Sequence, residues 1–593
     1  MTNISNFARK ALRGGSALQA LALMGAGVGA VGLAAPAIAQ DYTTGSLVGT
    51  VVTADGARAT EGSVTIVSNS QGFSRTATLS ADGSFRVPAL PTGAYTVTVT
   101  VPGNAPVADP RVIINPGQGN SFTFTVGRDN ATGGDVIVVT GRAQRTNDFG
   151  SNTGGLTIGN VSELLNTTPI ARNQTALILL SPGTSAGDTT FGNLASIGGA
   201  TVAENQYYVN GLNVTNFRNF LGSNNPPIEF YQSLDIKLFG YNAEYGRALG
   251  GFTTTVTKSG SNDFKAGAIV AYSPDALRDD SPNTYQAYNQ NDYSEDMEAN
   301  FYLSGPIIKD RLFFYALYNP NYSKTQDSGL TSGYRLTTKN DSPFFGGKMD
   351  FIIADGHRLE GTYFRNSQTQ ETLYERFAPS TLTVGAPAGT LVQKSGGDNF
   401  VGTYTGQFSK WLTLSASYGE SHDDQAAFTS PTTAYIASTR TGTSTIARGI
   451  STAASTDEDV RKFYRADADI YVNLLGTHHF RMGVERENLD STTDTRYAGG
   501  YRYNLAGSLI QRWYYENVGS WKSRNDAFYI QDSWSLLNER LNLQLGIRGD
   551  RFSNDALSGD TYFKSGTQWG PRLGASFDVF GDKRTTVRGS WGR

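Results

Sequence analysis

Tyr464-Arg465-Ala466-Asp467-Ala468-Asp469-Ile470-Tyr471-Val472 is the stretch whose reading decides the fold. Side chains on a strand point alternately to opposite faces, so Tyr464, Ala466, Ala468, Ile470 and Val472 share one face and Arg465, Asp467 and Asp469 the other. Apolar residues outside and charges inside suit a wall between lipid and a polar lumen. Leu541, Leu543, Leu545 and Ile547 alternate likewise with Asn542, Gln544 and Arg548, as do Leu412, Leu414 and Ala416 with Thr413, Ser415 and Ser417. Any half-buried sheet gives one such run, but the connections discriminate. Short turns near Lys309-Asp310, Ala354-Asp355-Gly356, Ser409-Lys410, Leu475-Gly476-Thr477, Leu537-Asn538-Glu539 and Gly581-Asp582 alternate with polar segments of about 15 to 40 residues, the asymmetry of an outer-membrane barrel.

Counted this way, about 13 strands begin near 263, 297, 312, 343, 357, 397, 411, 460, 478, 522, 540, 566 and 584, each about ten residues long. Bacterial barrels close with even counts, and an open wall leaves unpaired backbone groups in lipid at several kcal/mol each. The expectation is therefore a truncated chain that carries the first part of a barrel from residue 262 to 593.

Composition agrees with an all-β chain. Its 593 residues are 38% hydrophobic and 17% charged, with 68 Gly, 30 Tyr, 31 Phe and no Cys, too polar for helical spans and suited to strands and polar loops. The formal charge of -3 recommends no nucleic acid as partner, and the absence of Cys removes disulfides and thiolate chemistry. Arg9, Lys10 and Arg13 precede an uncharged run from Gly14 to Ala35 and the small-x-small site Ala37-Ile38-Ala39, so residues 1–39 read as a secretory signal.

Between Gly45 and Val126, short alternating runs (Leu47 to Val52, Ser63 to Val67, Thr76 to Leu79, Phe85 to Val87, Tyr95 to Val101) are separated by turns at Asp55-Gly56, Asp82-Gly83 and Pro91-Thr92-Gly93, which predicts a β-sandwich over 42–127. The order Gly49-x-Val51, Asp82-Gly83-Ser84-Phe85 and Leu90-Pro91-Thr92-Gly93-Ala94-Tyr95 resembles the carboxypeptidase-regulatory-like domain, which is noncatalytic. A linker, 128–155, follows. In it Asp135-Val136-Ile137-Val138-Val139-Thr140 has the β-formers of a strand able to add to another protein's sheet edge, and it resembles the TonB box.

Residues 156–261 look like the plug domain of TonB-dependent receptors. Ser162 is expected to cap a helix over Val161 to Leu165, and Glu229 to Lys237 to form a strand. Tyr208-Val209-Asn210-Gly211 matches the family's Tyr-x-Val-Asp-Gly turn with Asn in place of Asp, and Glu244-Tyr245-Gly246-Arg247, Gly250-Gly251 and Thr257-Lys258-Ser259-Gly260 match its plug-to-barrel passage. Glu244 and Arg247 are expected in an ion pair that holds plug to wall, since a removable plug should be seated by polar contacts and not by a dry core. Ser304 to Phe314 and Tyr529 to Trp534 further resemble the Oar-like subgroup, so the likeness runs from about Gly45 to Arg593.

The resemblance implies a mainly β protein: a sandwich, a mixed α/β plug and an incomplete antiparallel barrel, about 13 of some 22 strands. It implies an outer-membrane receptor, sandwich in the periplasm, that imports a scarce ligand (iron chelate, oligosaccharide or peptide) with TonB and its inner-membrane energising complex as partners and outer-membrane lipid around it. A passive porin or a surface adhesin is the rival reading. No catalytic elbow, Walker loop or His-Glu-x-x-His motif occurs, His357, His478 and His479 read as turn residues, and neither enzyme activity, cofactor nor metal is expected.

Overall fold

The computed structural model describes residues 42–593 except 117–118, 128–138, 141–143, 146–153, 431, 433, 439–444, 451–452, 538–539 and 582–584. The signal segment therefore lies outside the described residues. The chain is mainly β, as expected: a sandwich, a small mixed sheet with two short helices, and a long antiparallel sheet whose strands contact that mixed domain on several sides.

In the sandwich, Ser84–Pro91, Thr44–Thr53 and Gly119–Val126 form one sheet; Ser74–Thr78, Ser63–Ser68, Gly93–Thr100 and Val107–Ile114 form the other. Alternate apolar residues meet between them: Leu47, Val51, Val64, Ile66, Phe85, Val97, Val99 and Phe124 are all buried. Val107–Ile114 and Gly119–Val126 lie beyond the runs foreseen up to Val101. Pro110 disguises the first of them. It sits opposite a register skip between Tyr95 and Val97, and a bulge of this kind tolerates the missing N–H.

The mixed domain orders its strands Gly154–Ile158, Tyr231–Phe239, Phe252–Thr257, Gln206–Val209 and Leu212–Asn213. Its helices Val161–Thr167 and Gln174–Ile178 start at Asn160 and Asn173, whose side chains accept from Glu163 N and Ala176 N. The cap is thus Asn160 and not Ser162, which is already inside the helix. Asn160 is the residue that keeps the extended backbone an N-cap requires.

Nineteen strand segments make the large sheet; six adjacent pairs are the two halves of one crossing, which leaves thirteen staves, the number foreseen. The first, Lys265–Ser273, and the last, Thr586–Gly592, are not paired with each other. Along Ala453–Asn473 the residues Asp459, Arg461, Phe463, Arg465, Asp467, Asp469 and Tyr471 are buried, and those between them face outward. Phe301, Leu303, Phe345, Met349, Leu414, Ile530, Leu545 and Leu573 are among the exposed apolar residues of the outer face. The inside-outside alternation is that of a lipid-facing wall.

Length departs from expectation. Ala453–Asn473, Thr477–Tyr497 and Glu516–Leu536 have 21 residues each, about 70 Å at ~3.4 Å per residue, twice what a tilted crossing needs. The outward positions show why. Ala466, Ala468, Ile470 and Val472 occupy the half near the short turns, whereas the polar Thr456, Glu458 and Lys462 occupy the other half. Above it Thr445–Arg448, Tyr435–Ser438, Arg502–Ala506 and Leu509–Trp513 form a separate four-stranded sheet from two long loops.

Candidate functional site: the seat of the mixed domain in the wall

The hairpin from Gln206–Val209 to Leu212–Asn213 turns at Asn210 and Gly211, with φ of 47° and 86°. Asn tolerates this left-handed backbone, and its amide is used fully. Asn210 Nδ2 donates to Thr257 Oγ1 (2.7 Å) in the neighbouring strand and to Thr362 Oγ1 (2.8 Å) on the wall, while Oδ1 accepts from Thr257 N (3.0 Å). An aspartate could accept the last bond but donate neither of the others, so Asn at this position binds the turn to the wall. Val209 is fully buried, and Tyr208 stacks on Tyr42 (5.4 Å) and packs on Phe252.

Glu244 and Arg247, expected as a pair, do not pair with one another; each crosses to the wall. Glu244 Oε2 lies 3.1 Å from Arg481 Nε and 3.4 Å from Arg465 Nη2. Arg247 Nη1 lies 2.6 Å from a Glu487 carboxylate oxygen, and Nη2 bonds to Glu485. Asp467 bridges Arg465 (2.7 Å) and Arg481 (3.3 Å), Asp469 takes Arg481 (3.1 Å), and Arg548 reaches Asp550 (3.0 Å) and Glu485 (3.4 Å). Every charge of this network has an opposite charge as partner, which is what lets so many be buried together. Burial opposes Arg247's charge, yet Glu487 and Glu485 hold its guanidinium above the usual arginine range. Tyr245 closes the cluster from the side, packed on Tyr42 and Phe252.

The glycines of this passage permit close approach. A Cβ on Gly246 would stand 2.3 Å from Arg548 Nε; on Gly250, 2.4 Å from Asn205 Oδ1; on Gly251, 2.2 Å from Ile197 Cγ2; and on Gly260, 2.4 Å from the Phe314 carbonyl oxygen of the wall. Lys258 N donates to Phe230 O (2.9 Å), continuing the strand past Thr257, and Lys258 and Ser259 are half-buried.

The seat, expected to be polar and not dry, is polar on one side only. On the other, Phe230 packs on Tyr315 and Phe344, both at 5.8 Å, and Val209, Leu212 and Leu234 share a core with Leu317, Phe364, Val401 and Phe463 of the wall. These inward aromatic residues were hidden in runs such as Phe313-Phe314-Tyr315, where both faces are apolar.

The sandwich also reaches the wall at its short-turn end. Tyr42 OH accepts from Arg465 Nη1 (2.6 Å), Thr43 Oγ1 donates to Glu360 (2.6 Å), Gln71 Oε1 accepts from Arg358 (3.1 Å) and Arg86 Nη1 donates to Tyr471 OH (3.0 Å). Burial of Tyr42 raises its hydroxyl well above the ordinary tyrosine value, so it stays protonated. No sequence motif flagged these four residues. At the opposite end Arg218 pairs with Asp459 (2.8 Å) and Asn216 Nδ2 donates to Asp423 (2.7 Å).

Of the proposed TonB box, Asp135, Val136, Ile137 and Val138 lie outside the described residues; Val139 and Thr140 pair in parallel with Val107 and Ala108 at the sandwich edge. His479 contacts Asp469 (2.7 Å) and stacks on Tyr471, and His478 contacts Asp532 (2.7 Å). Among the described residues no cluster of His, Asp and Glu is arranged to hold a metal ion.

Residues 46–127 match the carboxypeptidase regulatory-like domain family. The chain is 27% identical to the TonB-dependent transporter Oar of Myxococcus xanthus over 669 residues, 93% of this chain and 61% of that protein. Among solved structures it resembles the outer-membrane transporter YddB of Escherichia coli (TM-score 0.51, 14% identity, 73% of this chain and 58% of that one) and the ferric citrate transporter FecA in its unliganded form (0.50, 12%, 73% and 61%). The chain thus spans about 61% of the length of the relative it matches. At these identities the structures speak for the fold alone, and sequence and fold point the same way: the chain is similar in sequence to the transporter Oar, shares the fold of these outer-membrane transporters, and is fronted by a domain that matches the carboxypeptidase regulatory-like family.

Proposed function

We propose that this chain belongs to an active importer of the outer membrane, in which residues 156–261 are the plug and 262–593 form staves of the barrel wall. One observation supports the reading: a folded domain meets the inward face of the wall through ion pairs of Glu244 and Arg247 on one side and an apolar strip around Phe230 on the other. A porin has no use for such an obstruction. In the proposed cycle a scarce ligand binds at the long-loop end, TonB takes up the strand around Asp135–Thr140 by edge addition in the periplasm, and pulling displaces the plug. The two sides respond differently. Water can resolvate the separated charges of the polar side, whereas baring the strip around Phe230 costs roughly 25 cal/mol per Å², so the polar side opens and the apolar side acts as the hinge.

The outer membrane holds neither an ion gradient nor nucleotide, so the work must come from such a partner. Sugars, peptides and iron chelates all suit loops rich in Tyr, Thr, Asn and Asp; FecA, by its name, takes ferric citrate. The test is removal of Asp135–Thr140 from the full-length protein, with growth followed across a nutrient panel. Growth on the nutrient that requires the intact protein should be lost while the barrel remains in the outer membrane. Growth at the full rate would favour passive diffusion, and cell or matrix binding as the sole retained property would favour an adhesin.

A further inference from the structure

The four-stranded sheet above the wall has a composition unlike the rest of the chain. Its two parent segments, residues 431–450 and 498–515, contain four arginines and no Asp or Glu, although the whole chain carries a formal charge of -3. Arginines and rings interleave on it: Arg502 lies 5.6 Å from the Tyr435 ring centre and 5.7 Å from that of Trp513, and Arg512 lies 4.6 Å from Tyr501. No carboxylate forms an ion pair with Arg502 or Arg512 among the described residues. These are cations held in place by π faces and left without counter-charge.

The outer strand of this sheet is unusual in a second way. Leu509–Trp513 pairs antiparallel with Arg502–Ala506 and, among the described residues, with nothing on its other side. All five of its residues are exposed, Leu509 and Ile510 by 64% and 66%. Soluble edges are commonly blunted by Pro, inward charge or a covering loop; this one presents a free row of N–H and C=O groups with apolar side chains beside it. The backbone row selects an extended chain, Leu509 and Ile510 select apolar side chains on it, and Arg502 and Arg512 select carboxylates.

We propose that Leu509–Trp513 is a docking edge for an extended acidic peptide segment of a secreted or surface protein, which adds as a fifth strand and sets its carboxylates against Arg502 and Arg512. Main-chain pairing supplies the register and charge the selection. Its outward placement rests on the barrel reading given above, but the binding itself does not depend on energised transport.

Full-length protein purified in detergent is titrated with a fluorescent decapeptide alternating Glu with Val, and anisotropy is read without any TonB present. Saturable binding that weakens as salt is raised is the expected result. Affinity should fall at least tenfold for Arg502→Glu/Arg512→Glu and for the same peptide N-methylated at every second residue. N-methylation alters only the ligand, so that arm is immune to misfolding of a variant. Equal binding of the methylated peptide, equal binding of polygalacturonate, or no binding at millimolar peptide would each overturn the proposal. Import failure after deletion of Asp135–Thr140 with peptide binding unchanged separates this proposal from the import reading.

Discussion

Replacing Arg247 by Ala addresses the polar seat directly. Arg247 contacts Glu485 and Glu487, whose side chains are only 4% and 2% exposed, so truncation leaves two carboxylates buried with less compensation. Breaking a buried pair costs about 3–5 kcal/mol. Glu487 keeps Asn213 Nδ2 (3.3 Å) and a distant Arg461 (3.9 Å), and Glu485 keeps Arg548 (3.4 Å), which places the expected loss at the lower bound, ~3 kcal/mol. At about 1.4 kcal/mol per tenfold, the unseated state should become roughly a hundred times more populated. Hydrogen exchange of the detergent-solubilised protein reads this as faster exchange across Gln206–Asn213 and 241–251, with the paired wall strands unchanged. Arg247→Lys should fall between, since an ammonium cannot fork to two carboxylates, and adding Glu487→Gln to Arg247→Ala should recover part of the loss. An acceleration under threefold would refute the assignment of the seat to this network, as would equal acceleration in the wall.

Gly260→Ala places a Cβ against the Phe314 backbone and should destabilise the mixed domain by roughly 2 kcal/mol, read as a lower unfolding midpoint of that domain in urea. Tyr42→Phe removes the acceptor of Arg465 but keeps the stacking on Tyr208, so sandwich undocking measured by proteolysis should rise about fivefold, near 1 kcal/mol. Burial, aided by repulsion from Asp459, raises the Asp423 carboxyl above its ordinary value against the hydrogen bond from Asn216. A carboxyl with a raised folded pKa binds its proton more tightly when seated, so seating at Asn216 should weaken as pH rises from the ordinary carboxylate value through the raised one. Asp423→Asn should remove that dependence, and an unchanged pH profile of exchange at 215–224 would contradict it.

Strand alternation made the wall legible because lipid outside and charge inside leave a period of two in residues such as Tyr464 to Val472. The thirteen crossings were countable for the same reason. The doubled length of staves such as Ala453–Asn473 was not, since their upper halves have polar residues on both faces and read as loop. Within the seat, Glu244, Arg247, Asn210 and the glycines stood out by motif, but their partners Arg465, Arg481, Glu485 and Glu487 come from staves more than 200 residues away, and only the rolled sheet brings them together. The roles of Tyr42, Gln71 and Arg86 depend on how the sandwich docks, a relation between surfaces that leaves no periodic trace.

The central claim is that residues 156–261 sit inside the wall with their polar side against Thr477–Tyr497. The chain has no cysteine, so Asn213→Cys/Glu487→Cys, whose native side chains meet at 3.3 Å, can be joined by a short thiol cross-linker in intact outer membranes. Efficient intramolecular cross-linking is expected, seen as a shift in gel mobility that either single variant lacks. Two cysteines that each react with maleimide yet never join would place the domain elsewhere and contradict it.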